Sequence, residues 1–198
     1  MSNINDIVTA ERWMPSLDIG HPIFPEDVKG FTKWVMYGGF KKYHNSGRHD
    51  ESHLGHDFVS HLDEEQVEHF RLHSDTPVRA VADGVVKSII RNNGRFSEYE
   101  TYLIVQHNEL GLVSGYVHVV PQVNIGDEVR KGQVLATLYD TSVEAMSLPT
   151  HLHLELGNAK VQNESYPFFN DLVDPLNILP GLKEMSVKPV SPFFPYAR

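Results

Sequence analysis

The chain has 198 residues, 40% of them hydrophobic, which is enough for one domain with a buried core. Its formal net charge of −9 and its pI near 5.7 argue against a nucleic-acid partner, which would call for a basic face. Because the chain has no cysteine, it forms no disulfide and cannot bind a metal through thiolates.

Residues 1–34 are predicted to form an N-terminal extension with a short helix between 26 and 35, since Pro15, Pro22 and Pro25 interrupt any longer one. The N-terminus has no basic start, no apolar run of secretory length and no small-residue cleavage site. No stretch approaches the roughly 20 apolar residues of a transmembrane helix. The localisation is therefore left open between a protein made and used in the cytoplasm, one that is exported or delivered by a phage, and one whose leader has been removed.

His53 and Asp57, four residues apart, are the first residues that indicate chemistry. Gly55 between them, and Phe58 and Val59 after them, favour an extended or looped segment over a helix. In an extended chain, positions four apart point to the same side. The imidazole and the carboxylate are therefore predicted to share one face.

Residues 58–76, which follow Asp57, contain a predicted helical stretch and three histidines. Between 62 and 72, charged residues are placed among apolar ones in a way that predicts an amphipathic helical turn or two. The histidines of this stretch are interpreted as solvated side chains, with a second metal site as the alternative: His61, His69 and His73.

From residue 77 onward the pattern predicts strands, at 78–80, 85–90, 102–106 and 113–118, with two more between 123 and 138. Many short strands with regular turn signals predict an all-β fold, a compact antiparallel sandwich or barrel. Residues 168–182 are predicted to be irregular, with one helical turn at most. The tail at 183–198 contains three prolines and is predicted to be extended along the surface or loose.

The run from 151 to 156 reads His-Leu-His-Leu-Glu-Leu, a strict period of two. It predicts a strand whose leucines face the core, while His151 and His153 share the other face and look into a groove. His118, two residues after Tyr116, adds a third imidazole within a predicted strand. Two histidines and a carboxylate are a common ligand set for catalytic zinc, which keeps one position for water.

These pieces, in this order and at this spacing, resemble the lysostaphin-type (LytM-like) zinc metallopeptidases, which cut peptide cross-links of bacterial cell walls. Residues 77–86, 123–134 and 174–176 are similar to the family as well. The resemblance implies a metallopeptidase domain at 35–182 with the all-β duplicated hybrid motif that is also found in biotinyl and lipoyl carriers. Members usually pass quickly from the aspartate to the next strand, so residues 58–76 are interpreted as a helical insertion beside the substrate groove.

The resemblance implies one Zn²⁺ per chain, held by His53, Asp57 and His153, with water in the fourth position. It also implies that His118 and His151 contact that water or the tetrahedral intermediate. His151 is the candidate base and His118 the candidate oxyanion stabiliser.

Two further side chains near these motifs have open roles. Tyr116 is a candidate substrate-binding residue, with orientation of His118 or simple packing as alternatives. Glu155 either supports a ligand imidazole or is exposed to solvent.

The function implied by the resemblance is a zinc-dependent endopeptidase with stem or cross-link peptides of bacterial peptidoglycan as its partner and substrate. The oligomeric state is left open, with a monomer favoured. One alternative is a catalytically inactive metal-binding relative that acts as a scaffold. Another is a zinc peptidase for a non-wall substrate, which the acidic charge favours. Segments near 83–86 and 126–133 also look like a biotinyl or lipoyl carrier, but Ser147 stands where the attachment lysine would be.

Overall fold

The computed structural model describes residues 18–37, 55–91, 101–141, 149–158, 172–173, 175–179 and 186–188. The described part contains two 3-10 turns (Pro25–Asp27 and Asn108–Leu110) and one four-residue α-helix, α1 (Pro175–Ile178). All other regular elements are strands: β1 (Lys33–Tyr37), β2 (His56–Leu62), β3 (Glu68–His69), β4 (Pro77–Arg79), β5 (Gly84–Arg91), β6 (Thr101–His107), β7 (Leu112–Pro121), β8 (Glu128–Val129), β9 (Val134–Leu138), β10 (Leu152–Asn158), β11 (Leu172–Val173) and β12 (Ser186–Lys188).

The strands join into one sheet with the main order β12-β1-β2-β10-β7-β6-β5-β8. Strand β3 pairs with β2, β11 pairs with β10, and β9 links β4 to β7. Every pairing is antiparallel except that of β1 with β12. The prediction of an antiparallel all-β fold is confirmed. No helix in the described ranges has the length and apolar character needed to cross a membrane.

The predicted helical turns between 62 and 72 are wrong, because this stretch forms the end of β2, a tight turn and β3. Asp63 Oδ1 accepts the backbone N–H groups of Glu65 (3.0 Å) and Val67 (2.8 Å), which closes the turn. Gln66 adopts a left-handed φ of 62°, which ends any helical path. The stretch therefore forms a hairpin of β2 and β3 that the Asp63 carboxylate closes. The helix predicted between 26 and 35 is likewise reduced to the 3-10 turn before β1.

One main core lies under the sheet. The leucines of β10 are fully buried in it, as the period of two predicts: Leu152, Leu154 and Leu156. Ile19 and Ile23, from the predicted N-terminal extension, belong to the same core cluster. Residues 186–188, from the predicted tail, pair with β1. The domain limits at 34/35 and 182/183 stay predictions.

His21 fastens the N-terminal segment to this core. Its ring stacks on Trp34 and meets Phe58 edge-on, with centroid distances of 5.7 and 5.1 Å. Nδ1 of His21 accepts the N–H of Ile23 (3.2 Å), so the proton of the neutral ring is on Nε2, which is buried without a hydrogen-bond partner among the described residues. Burial lowers the pKa of His21 from 6.5 to about 4.

The free energy of unfolding is therefore expected to fall as the pH drops from 6.5 toward 4, because only the unfolded chain protonates His21 in that range. At about 1.4 kcal/mol per pH unit, the loss at pH 5 is about 2 kcal/mol. Urea unfolding at pH 7.5 and pH 5 measures it. The drop should be smaller by that amount in His21→Phe and unchanged in His73→Phe, whose side chain is 90% exposed. Equal drops in the parent and His21→Phe would contradict the prediction.

Candidate functional site

The position of β10 between β2 and β7 brings the sequence motifs together. His153 on β10 pairs with Asp57 on β2 and with Val117 on β7. His118 directly follows Val117, and His151 directly precedes β10. Side chains from three distant parts of the chain therefore meet at one place.

The side chains of Asp57, His118, His151 and His153 lie next to one another. Nδ1 of His153 lies 2.8 Å from Oδ1 of Asp57, and Nε2 of His151 lies 3.9 Å from the same oxygen. The ring centroid of His118 is 4.4 Å from that of His151 and 6.5 Å from that of His153. One buried carboxylate and three imidazoles thus form a single cluster, the four-residue site.

A backbone carbonyl determines which ring nitrogen of His151 carries the hydrogen. Its Nδ1 lies 2.7 Å from the carbonyl oxygen of Pro149, which can only accept a hydrogen bond. In the neutral ring, Nδ1 therefore carries the hydrogen and the basic lone pair is on Nε2, the atom nearer to Asp57. This tautomer suits a general base directed into the site.

His118 enters the site through a β-bulge. The pairing of β7 with β6 slips at this residue: Tyr102 pairs with Val117 and Thr101 pairs with Val119, so β7 carries one extra residue here, His118. Its φ of 64° is left-handed, which costs a non-glycine residue roughly 1–2 kcal/mol. Val117 and Val119 on either side are both buried, whereas His118 is only partly buried, and its ring lies beside those of His151 and His153.

At the bulge, strand β7 also changes the strand with which it pairs. Up to Val117, β7 pairs with β10, and from Val119 onward it pairs with β9. The sheet divides at His118, and the four-residue site lies at the point of division. The strand that the sequence predicts over 113–118 is present, but β7 continues past the bulge to Pro121.

Comparison with known proteins identifies the family. The model of Peptidase family M23 matches residues 65–165, just over half of the chain, and the match includes His118, His151 and His153. This chain belongs to peptidase family M23. The resemblance seen in the sequence is thereby confirmed, and with it a peptidase that acts on peptides. A search of curated proteins finds no match.

Solved structures show the fold of this M23 peptidase in other proteins. LytU is 23% identical, with 73% of this chain and 83% of that chain covered and a TM-score of 0.52. A zinc-containing peptidase from Vibrio cholerae is 21% identical (79% and 39% covered, TM-score 0.52). The antimicrobial peptidase lysostaphin from Staphylococcus simulans is 17% identical (93% and 57% covered, TM-score 0.54). This chain spans less than two thirds of the length of the Vibrio cholerae peptidase and of lysostaphin.

The predicted metal ligands of the M23 peptidase divide into two groups. His53 lies outside the described residues, and within them no group of three or more His, Asp or Glu side chains is arranged to hold a metal ion. Asp57 and His153 are described, and their Oδ1 and Nδ1 atoms are 2.8 Å apart. Two ligand atoms of a tetrahedral zinc are about 3.3 Å apart at the usual bond lengths. This pair therefore fits one shared ion after a small separation.

Gly55 permits the approach of Asp57 to His153. A Cβ atom at position 55 would lie 2.2 Å from the carbonyl oxygen of Leu154 and 3.0 Å from Nε2 of His153. No side chain fits there, so the glycine between the two predicted ligands His53 and Asp57 is required by close packing of β2 on β10.

Tyr116 is fully buried. Its hydroxyl lies 3.0 Å from the N–H of Val81 and 3.1 Å from Oγ of Ser114, which in turn lies 2.7 Å from Nε2 of His107. Burial raises the pKa of Tyr116 to about 12. The structure thus places this hydroxyl in an internal hydrogen-bond chain, and the substrate-binding role stays a prediction.

Glu155 is buried, which excludes the solvent-exposed alternative. Its Oε1 lies 3.1 Å from Nε2 of His153, and its Oε2 accepts a hydrogen bond from the Tyr102 hydroxyl at 2.7 Å. Burial by itself lowers the pKa of His153, but the hydrogen bonds to Asp57 and Glu155 and their charges outweigh it and raise the pKa to about 10. The shared strand face of His153 and Glu155 was the sequence signal for this contact, whereas nothing in the sequence indicated Tyr102.

The predicted insertion at 58–76 touches the segment that carries His151. The N–H of Leu72 donates to the carbonyl oxygen of Thr150 (2.9 Å), and the Arg71 guanidinium lies 3.6 Å from the Asp140 carboxylate. The stretch therefore runs beside the four-residue site. Its control of substrate access stays a prediction.

Proposed function

We propose that this M23 peptidase is a zinc-dependent endopeptidase that hydrolyses cross-link or stem peptides of bacterial peptidoglycan. The observation that carries the proposal is the four-residue site, in which Asp57 and His153 face each other at 2.8 Å beside the imidazoles of His118 and His151. Family membership and the fold shared with the Vibrio cholerae zinc-containing peptidase and the antimicrobial peptidase lysostaphin support it.

In this proposal Asp57 and His153, with His53, hold one zinc ion. A zinc ion held there would supply a positive charge that polarises a peptide carbonyl and lowers the pKa of a water molecule to about 7. The single carboxylate among the three ligands leaves a net positive charge at the site, which suits a reaction that develops an oxyanion.

His151 takes the proton of the attacking water in this scheme. Its Nδ1–H is directed to the Pro149 carbonyl oxygen, so Nε2 is the atom that accepts a proton and later delivers it to the leaving amine. Because the hydrogen bond to Pro149 persists in the imidazolium, the ring keeps its orientation through both transfers.

His118 donates a hydrogen bond to the developing oxyanion. Its ring is tilted at 51° to that of His151, and the bulge holds its backbone in a conformation that an ordinary strand residue does not adopt. A donor fixed before the reaction needs no rearrangement when the negative charge forms, which is the condition for effective electrostatic stabilisation.

The test is incubation of the purified protein with muropeptides and with simple peptides, analysed by mass spectrometry. We expect cleavage of cross-linked or stem peptides that a chelator abolishes and added Zn²⁺ restores, with one zinc per chain by elemental analysis.

Three outcomes would speak against the proposal in different ways. Cleavage that resists the chelator would refute the zinc dependence. Cleavage of simple peptides alone would indicate a non-wall substrate. A zinc-loaded protein that cuts nothing would indicate a metal-binding scaffold.

A further inference from the structure

The His153 ring contacts a second carboxylate, that of Glu155, through the nitrogen that faces away from Asp57. Both oxygens of Glu155 are used there, Oε1 with Nε2 of His153 at 3.1 Å and Oε2 with the Tyr102 hydroxyl at 2.7 Å. The Glu155 side chain is 6% exposed and Tyr102 is 1% exposed. Burying a carboxylate is costly unless it is fully hydrogen-bonded, and the mechanism proposed above does not use this one.

We propose that Glu155 and Tyr102 are positioning residues that prepare His153 to bind the metal. This inference rests on the proposed zinc peptidase function. Glu155 accepts the Nε2–H of His153, which leaves Nδ1 as the ligand atom and keeps it turned toward Asp57. A ring rotation that exchanged the two nitrogens would break the hydrogen bond to Glu155 and leave a buried carboxylate unsatisfied.

Tyr102 holds Glu155 in place across three neighbouring strands. Gly115 on β7 pairs with Glu155 on β10 and with Ile104 on β6. A Cβ atom at 115 would lie 2.5 Å from the Tyr102 hydroxyl oxygen, so the absence of a side chain there opens the path from the phenol to Glu155. The hydroxyl proton fixes Oε2, which leaves Oε1 for the imidazole.

The test compares zinc affinity in four single variants. Glu155→Met keeps the volume of the side chain without a charged acceptor, Glu155→Gln keeps a neutral acceptor, and Tyr102→Phe removes only the hydroxyl. Ser114→Ala is the matched control, because it also removes a buried hydroxyl from this part of the sheet, and that hydroxyl bonds to His107 and lies near Tyr116.

We expect the zinc dissociation constant, measured by competition with a chromophoric chelator, to rise about 10–100-fold in Glu155→Met. Smaller rises are expected in Glu155→Gln and Tyr102→Phe, and none in Ser114→Ala. A second readout needs no metal: the Nε2–H proton of His153 should be visible and protected from exchange by NMR in the metal-free parent and in Tyr102→Phe, and lost in Glu155→Met.

Two outcomes would overturn the inference while leaving the proposed function intact. One is a folded Glu155→Met protein with the zinc affinity of the parent. The other is an equal loss of affinity in all four variants, which would indicate general loosening of the sheet. A parent that binds no zinc would instead refute the proposed function, and the positioning role with it.

Discussion

Replacing His151 by alanine is expected to lower kcat by about 10²–10⁴-fold while the protein keeps its zinc. Nε2 of His151 is 3.9 Å from Asp57, and the hydrogen bond from Nδ1 to Pro149 prepares the ring to accept a proton. Loss of this imidazole removes proton transfer and leaves the predicted ligands in place. The measurements are kcat and KM on cross-linked muropeptides, together with elemental analysis.

His118→Ala is expected to lower kcat by about 10²–10³-fold, the range for loss of one oxyanion donor. His118→Gly is the matched variant, because glycine adopts the φ of 64° without strain and should make the protein about 1 kcal/mol more stable than His118→Ala. Equal losses of kcat in the two variants would assign the effect to the imidazole.

Rates like those of the parent in both His118→Ala and His151→Ala would refute the proposed division of roles. Loss of zinc from either variant would place that histidine among the ligands instead. Metal content therefore has to be measured on the same preparations as the rates.

Gly55→Ala is expected to destabilise the protein by about 3 kcal/mol or more, at the upper end of the range for overpacking. The clash at 2.2 Å is with the backbone oxygen of Leu154, which cannot turn aside as the end of a side chain can. Relief requires β2 and β10 to separate, and that separation would pull Asp57 away from His153. Zinc affinity should therefore fall together with the free energy of unfolding.

Gly20→Ala is the control for this variant. A Cβ atom at position 20 would meet Cγ of the flexible Lys131 side chain at 3.2 Å, so a small effect on unfolding and none on zinc affinity are expected. Urea unfolding and zinc competition on both variants measure the contrast. A Gly55→Ala protein with the stability and zinc affinity of the parent would contradict the close approach of the two strands.

The all-β fold and the inward face of β10 follow from the sequence because a period of two has one simple structural solution. Leu152, Leu154 and Leu156 are buried as that pattern requires. The hairpin at 62–72 could not be found in this way, since the turn depends on Asp63 accepting two backbone N–H groups. The charged and apolar residues of this stretch do not alternate strictly, and their spacing also fits a short amphipathic helix.

The site was predictable only in part, for a similar reason. The residues of the four-residue site were named from their motifs, but the bulge at His118 depends on a φ value that residue type does not encode. The contact between Tyr102 and Glu155 depends on the register of three strands, β6, β7 and β10. Neighbours across a sheet are far apart in the chain, so local patterns carry no information about them.

The absence of a side chain at Gly115 limits which residues this chain can carry at positions 102 and 155. A side chain at 115 would occupy the place of the Tyr102 phenol, so any such substitution has to be accompanied by a smaller residue at 102. Glu155 would then lose the donor to its second oxygen and would itself come under pressure to change. We therefore expect substitutions at 102, 115 and 155 to be coupled in this chain, so that the effect of one on stability depends on which residues occupy the other two positions.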